Sequence, residues 1–584
     1  MDPVPATTAA AGRLEVLAPA GGPAAFAAAL EAGADAIYCG LQQLNARRGA
    51  ENFQPAELTA WTARAHAAGV RVYLTLNIDL AQRELGQAAR QLMLARQAGV
   101  DAVLVRDPAF LTLRPQFPEL EFHFSTQAGV SSSAGVRAAG RLGLRRVVLA
   151  RELTLAEIRA CAAVPGVEVE LFVQGALCFS VSGRCLLSSW VGGRSGNRGA
   201  CASPCRVPYA AADAPPARLL SMLDLCLVER LPELVAAGVR AFKIEGRLKN
   251  AAWVAAAVRL YRTALAAGTT APILRAVDAG FLGAYAGRGF TAGYVDGHRD
   301  ALTGDSARPG SQTEPGTDAT TSAGTVVAAS AAPPAPTGWT LAVRADERGG
   351  LRWHATCNDH ACELRTPPRP VRRAERAVTL RTLEAGLVKT PLQAVPLARF
   401  TCDVALETAL APTAAKALLR DLSAFLHQAR QAPDATLRGA LPETVRALLV
   451  PTAPHPDNRR LLGEVPDRVR LETERAAVFM AAVPEVTVIV ELPSLAELVA
   501  LAAQFGAGRL VAALPAVFYE ADLPRWHALA AAAAVAGVTI EINGWDGWEV
   551  ARDSGARLEA GPGLMVLNSL AAAALAKLGL VGVT

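Results

Sequence analysis

Four cysteines fall close together in the chain, Cys178, Cys185, Cys201 and Cys205, in a stretch otherwise rich in Gly, Arg and Ser. Thiolates gathered in this way bind Zn²⁺ or an iron–sulfur cluster. The first pair is wide (six intervening residues) and the second tight (three). Zinc ribbons prefer two tight pairs, so zinc suits the spacing less well than a cluster, and both stay open. Glycines around the cysteines let the backbone fold closely and turn N–H groups toward sulfur. A set of unligated core thiols fits such a polar loop poorly. Cys226 follows and is a candidate to replace one ligand, whereas Cys39 and Cys161 read as core residues.

Something must hold that loop. From Leu14 to about Gly268 short apolar runs alternate with Ala-rich helical stretches. Strands are expected at Leu14–Ala18, Ala36–Cys39, Arg71–Asn77, Ala102–Arg106, Glu121–Ser125, Arg146–Ala150, Glu168–Val173 and Arg240–Glu245. Several helices end in Ala-Gly followed directly by a strand, and Gly there suits a left-handed cap. Such alternation implies a parallel sheet with crossover helices, and this many units favour a closed (β/α)₈ barrel. The cysteines begin where the seventh strand ends, on the face where barrels place their chemistry.

The ends of other strands supply candidate partners on the same face. Lys243, Glu245 and Arg247 close the eighth strand, with Lys243 and Glu245 on one side of it by the two-residue period. They read as catalytic or anion-binding groups, with a polar ion pair as the plainer alternative. Asn77 and Gln127, after the third and fifth strands, could hydrogen-bond a base or a small acid. Asn45 and Arg47, after the second strand, are candidate substrate contacts. Arg184, Arg194, Arg198 and Arg206 decorate the cysteine loop and would steer phosphate or offset an anionic cluster. His123 lies inside a strand and reads as a core histidine. Peptide hydrolysis needs a nucleophile with a base or an activated water. The chain has neither G-x-S-x-G nor H-E-x-x-H, and Ser182 and Ser188 have no obvious His partner.

The chain of 584 residues carries a formal net charge of +5 and 52% hydrophobic residues. That is ample for a packed core, mildly basic, and without a dense Lys/Arg block, so RNA contact is permitted but not required. No apolar run is long enough to span a bilayer, and Met1–Gly12 lacks a secretory pattern, which together predict a cytoplasmic protein with reduced cysteines. Residues 301–337 read as a flexible linker, 338–430 as a small α+β domain and 431–464 as a second linker. Residues 465–584 read as a partial β/α section, with strands at Val486–Glu491, Arg509–Ala513, Val538–Asn543, Gly563–Asn568 and Val581–Thr584. A closing strand leaves open whether that section is truncated. The expected fold class is therefore α/β, with residues 1–300 as the barrel.

The residues now support a resemblance. Glu170 to Ser188 matches the signature of the U32 peptidase-like family: E-x-F, G-A-L-C, G-x-C, then Leu and Ser. Leu17–Gly21, Gly33–Tyr38, Asn45–Arg47, Ser125–Gln127, Lys243–Arg247 and Gly289–Tyr294 look like the same family. The middle region and the tail near Gly563–Ser569 are similar to those of longer members. The family was named for collagenase-like peptidases. Its better-understood members resemble oxygen-independent hydroxylases of tRNA uridine, rRNA cytidine or ubiquinone precursors. The resemblance implies a 4Fe–4S cluster on Cys178, Cys185, Cys201 and Cys205, RNA as partner, and prephenate as an oxygen donor. The added middle domain favours the rRNA 5-hydroxycytidine type. A peptide-cleaving enzyme and a non-catalytic RNA- or protein-binding scaffold are the alternatives. Many members carry His where this chain has Gln174, which cannot shuttle a proton near neutrality.

Overall fold

The computed structural model describes residues 13–210, 215–267, 289–297, 302–303, 339–347, 350–357, 360–366, 378–389, 397–405, 408–431, 441–450 and 468–583. The expected N-terminal segment before Arg13, nearly all of the linker at 301–337 and much of that at 431–464 lie outside them. The chain divides into two compact units, one of residues 1–313 with 440–584 and one of residues 314–439.

The first unit opens with β1 (Glu15–Pro19), β2 (Ala36–Cys39), β3 (Arg71–Leu76), β4 (Ala102–Val105), β5 (Glu121–Phe124), β6 (Arg146–Val148), β7 (Glu168–Ala176), β8 (Asp224–Cys226), β9 (Ala241–Ile244) and β10 (Phe290–Thr291). Strands β1 to β7 pair in sequence order, all parallel. β9 closes the ring by pairing in parallel with both β1 and β7. This is the expected eight-stranded barrel. Its strands are buried on both faces, which is why they read as plain apolar runs. Gly33, Gly69, Gly99 and Gly238 end helices with φ between +71° and +100°, the left-handed cap that lets each new strand start at once.

Two features were not read from the sequence. β7 runs three residues past the expected end, and there it pairs antiparallel with β8, Gln174 opposite Cys226. The cysteine loop is thus the connection of a hairpin standing on the barrel rim.

In the second unit β11 (Trp339–Ala345), β12 (Leu351–Cys357), β13 (His360–Thr366) and β15 (Leu397–Cys402) form one sheet, while β14 (Val378–Thr379) pairs with β16 (Ala409–Leu410). Trp339, Trp353 and Leu341 pack there with Leu422 and Leu426 of the helix Pro412–Gln431, giving this unit its own core.

The C-terminal section, β17 (Arg468–Glu472), β18 (Thr487–Glu491), β19 (Leu510–Ala513), β20 (Thr539–Ile542), β21 (Leu558–Ala560) and β22 (Leu580–Val583), is a parallel sheet in sequence order. The strand expected at Gly563–Asn568 is not one. Residues Pro562–Leu564 form a 3₁₀ turn, and Asn568 caps the helix Ser569–Lys577 by accepting from the Ala571 N–H at 2.8 Å. The strand of that repeat is β21, just upstream. This section packs on the barrel. The Ser132 hydroxyl donates to Asp546 Oδ1 at 2.6 Å, Asn568 Nδ2 donates to Asp107 Oδ1 at 3.1 Å, and Trp545 stacks on Phe124. Among the described residues no helix is long and apolar enough to cross a membrane.

Candidate active site

The carboxyl ends of the barrel strands converge on one cavity. Its lining includes Arg47, Asn77, Gln127, Lys243, Glu245 and Arg247, six of the residues singled out by their position after strands. Tyr38, Ala46, Thr75, Leu104, Ser125, Thr126, Val148, Arg151 and Phe172 complete it; position alone did not single these out. Arg151 was findable, being the first charged residue after β6, as Arg47 and Arg247 are near their strands.

Charge organises the cavity. Glu245 accepts from Arg47 Nε at 3.0 Å and from Arg151 Nη2 at 3.3 Å. Burial pushes its carboxyl up, but Arg47, Arg151 and Arg247 outweigh that and bring it down to about 2. Arg247 donates to Asn45 Oδ1 and Thr75 Oγ1, both at 3.1 Å, and burial lowers its guanidinium to about 10. Lys243 donates to Glu170 at 2.6 Å and lies 4.3 Å over the Tyr38 ring. Burial lowers its pKa, against the pull of Glu170. Glu170 is tied in turn to Arg146, which also holds Glu15 at 2.6 Å. Those deeper charges balance one another, so the mouth itself keeps three arginines around one carboxylate.

The neutral groups are partly open. Asn77 Nδ2 donates to Ser125 Oγ and its Oδ1 accepts from the Ala46 N–H, both at 3.1 Å. Gln127 Oε1 and Arg151 Nε are buried without a hydrogen-bond partner among the described residues. Buried polar atoms seldom stay single, so these two are open to a water or a ligand in the cavity. Asn45 is fully buried behind the cavity; its Oδ1 takes both the Arg47 N–H and Arg247. It shapes the arginines and does not itself line the cavity.

The cysteine loop starts beside this cavity. Gly183, at φ +74°, lies so close to the Gln127 carbonyl that a Cβ would come within 2.1 Å of it, and its own carbonyl accepts from Arg106 Nη1 at 2.7 Å. Cys178 reaches solvent but is densely surrounded. Desolvation pushes its thiol up, Arg151 and Arg47 pull it down, and Cys185 and Cys205 push it up again. Burial likewise raises the Cys205 thiol, with Arg206 opposing and Cys201 and Cys185 adding. The four thiols are therefore electrostatic neighbours. The Ser203 N–H points at Cys201 Sγ at 3.3 Å and the Ser188 hydroxyl at 3.7 Å. Among the described residues no three Cys, His, Asp or Glu side chains converge tightly enough as they stand to hold a metal. In kind, number and N–H surroundings the donors nevertheless fit a thiolate-bound cluster. The Tyr261 hydroxyl lies 4.0 Å from Cys226 Sγ.

The remaining candidates lie elsewhere. Arg184 donates to the Gly563 carbonyl of the C-terminal section, and burial lowers it to about 10. Arg198 reaches Glu84 and the Asp79 carbonyl on the rim. Arg206 holds the Leu177 carbonyl at 2.6 Å, and Arg194 is exposed. His123 is buried in β5, as expected, with its pKa lowered by burial. Gln174 does not line the cavity. A register shift between Phe172 and Gln174 turns it toward Tyr261, whose hydroxyl donates to its Oε1 at 3.0 Å. An acid or base at that position would not face the mouth.

Comparison with known proteins places the barrel region in a family. The profile described as "Peptidase family U32" matches residues 21–304. The chain is 39% identical over 266 residues to a 23S rRNA 5-hydroxycytidine synthase of Escherichia coli, covering 44% of this chain and 40% of that protein. It is 30% identical over 344 residues to the tRNA hydroxylation protein P of the same organism, covering 49% and 75%. It is 33% identical over 273 residues to a collagenase of Porphyromonas gingivalis, covering 43% and 66%. The chain thus spans less than half the length of the first of these relatives.

Proposed function

The chain belongs to peptidase family U32, and from that premise we propose that it hydroxylates a base of RNA, of the rRNA cytidine or tRNA uridine kind. The observation that carries this reading is the cavity: three arginines around Glu245, with the open Gln127 and Arg151 atoms, set beside four neighbouring thiols. Such a mouth suits a small carboxylic acid and a neutral heterocycle together. Arg47, Arg151 and Arg247 would take the carboxylate of an oxygen donor, prephenate on this reading, through forked hydrogen bonds. Asn77 and Gln127 would hold the base edge. Glu245, kept ionised by its arginines, is too weak a base to accept a proton and serves to space them. Lys243, whose pKa burial lowers, is the better proton carrier. A 4Fe–4S cluster held by Cys178, Cys185, Cys201 and Cys205 would supply electron transfer or activation of the oxygen donor when bound.

Peptide hydrolysis, suggested by the collagenase relative, lacks its groups here. Ser182 donates to Glu152 at 3.1 Å, Ser188 takes the Ala202 N–H, and Ser125 is engaged by Asn77. Among the described residues no histidine lines the cavity. The scaffold reading has no observation of its own in its favour.

The test is nucleoside mass spectrometry of rRNA and tRNA from a strain lacking the gene. One hydroxylated pyrimidine is expected to vanish and to return with the wild-type gene. An unchanged nucleoside profile would sink the proposal.

A further inference from the structure

Seven of the eight tryptophans are buried, at 6% exposure or less, and one, Trp190, is 85% exposed. It stands on the short helix Leu187–Gly192, in the middle of the cysteine loop. It has company. Among the described residues of the barrel region, every exposed large hydrophobic lies between Phe179 and Leu248, and none on the other strand–helix connections. Phe179 and Leu186 follow Cys178 and Cys185 directly, Val191 follows Trp190, and Leu248 follows Arg247. Scattered exposed apolar residues need no explanation, but a set confined to the connection that carries the cysteines and the turn after β9 points to a contact surface.

The charge on this surface says what it contacts. From Leu177 to Arg218 the sequence has five arginines and a single acid, Asp213. Arg184, Arg198 and Arg206 are spent on internal hydrogen bonds. Arg194 and Arg48 are exposed, and the Arg48 stem lies against the loop at Gly199. Single apolar side chains separated by glycine and arginine do not make the continuous core of a protein interface. A flat aromatic in water flanked by cations is the arrangement that binds unstacked bases and their phosphates.

We propose that the cysteine loop docks a single-stranded segment of RNA, with Trp190 stacking on a base beside the one that enters the mouth and Arg48 and Arg194 meeting its phosphates. This rests on the RNA reading above. A base that leaves its stack to reach the cavity gives up stacking energy, and an aromatic platform at the rim offsets part of that loss.

The experiment measures binding of a fluorescein-labelled, unstructured RNA 12-mer by anisotropy, together with acrylamide quenching of tryptophan fluorescence, which reports on the exposed Trp190. Trp190→Ala should weaken binding roughly fivefold to a hundredfold, and Trp190→Phe should keep most of it. RNA should shield the wild type from acrylamide. Replacing Arg48 and Arg194 by Gln should reduce the salt dependence by about one to two counterions. Equal affinity of wild type and Trp190→Ala, or quenching unchanged by RNA, would overturn the inference. So would Trp190-dependent binding to phosphatidylglycerol vesicles, or Trp190-dependent self-association, with RNA binding unaffected. The nucleoside profile is read separately. Trp190-dependent RNA binding without any lost modification would support this surface and overturn the hydroxylase reading, and a lost modification with Trp190-independent binding would do the reverse.

Discussion

The first unit contains two runs of parallel strands, and both put charge on an inner face, with opposite results. In the C-terminal sheet Val488 and Val490 join the main core, while Ile489, Val511 and Ala513 form a separate cluster on the other face. The polar groups there are paired: Arg468 with Glu559 at 2.7 Å, Arg470 with Glu541 at 2.6 Å and with the more exposed Glu491 at 3.5 Å, and Asn543 with Glu541 at 2.7 Å. At the barrel mouth Arg47, Arg151 and Arg247 share Glu245, and two buried polar atoms have no partner. A polar interior by itself is only a way to fill a curved sheet. Excess cations converging on a cavity, with polar atoms left open toward it, are what mark a binding site.

The sharpest way to break this comparison is at the thiols. Cys178→Ala with Cys185→Ala in anaerobically purified protein should remove essentially all bound iron and sulfide and the broad visible band. Colourless wild-type protein, or zinc in place of iron, would show that the mouth differs from the C-terminal sheet in charge alone and not in redox chemistry.

The next largest effect should come from the matched face. Glu541 is fully buried, so Arg470→Ala leaves a carboxylate without its cation. That should cost about 2 kcal/mol in denaturant unfolding, discounted because Arg470 is partly exposed and Asn543 still donates. Adding Glu541→Gln should recover most of the loss. No recovery would mean that packing, not charge matching, holds that face.

The smallest effect is on pH dependence, and its sign differs between the regions. Where the C-terminal section meets the barrel, burial raises Asp107 and Asp546 to about 6, against hydrogen bonds from the Leu80 N–H and from Ser132 respectively. Both carboxyls bind their proton more tightly folded than unfolded. Stability should therefore grow as pH falls from about 6 toward 4, by roughly 1–2 kcal/mol, and be lost as pH rises through 6. Glu245, lowered to about 2, contributes stability above the usual carboxylate range that is lost as pH falls from about 4 toward 2. Melting curves of the wild type and Asp546→Asn from pH 7 to 5 check this. The variant should gain less on acidification, and parallel curves would refute it.

The barrel strands were legible in the sequence to within a few residues, because strands buried on both faces are apolar runs and the Ala-Gly caps punctuate them. β8, β17 and β21 were not. β8 and β21 have three residues each, β17 alternates charge with Val and Leu, and the apolar run near Met565 looked more like a strand than the turn and helix cap it forms. In the candidate site the strand-end rule found Arg47, Asn77, Gln127, Lys243, Glu245 and Arg247, since a parallel barrel gathers all its carboxyl ends on one face.

The sequence by itself thus determined the barrel, the place of the cysteine loop on its rim and most of the charged side chains at its mouth. These follow from local periodicity and from the direction that parallel strands must share. Only the tertiary structure decided that Arg184 and Arg198 are spent on neighbouring segments, that a bulge turns Gln174 away from the cavity, and that Arg151 joins Arg47 around Glu245. Each of these depends on which distant segment a side chain meets once the ring is closed, and on one-residue shifts in register that reverse a side chain's face.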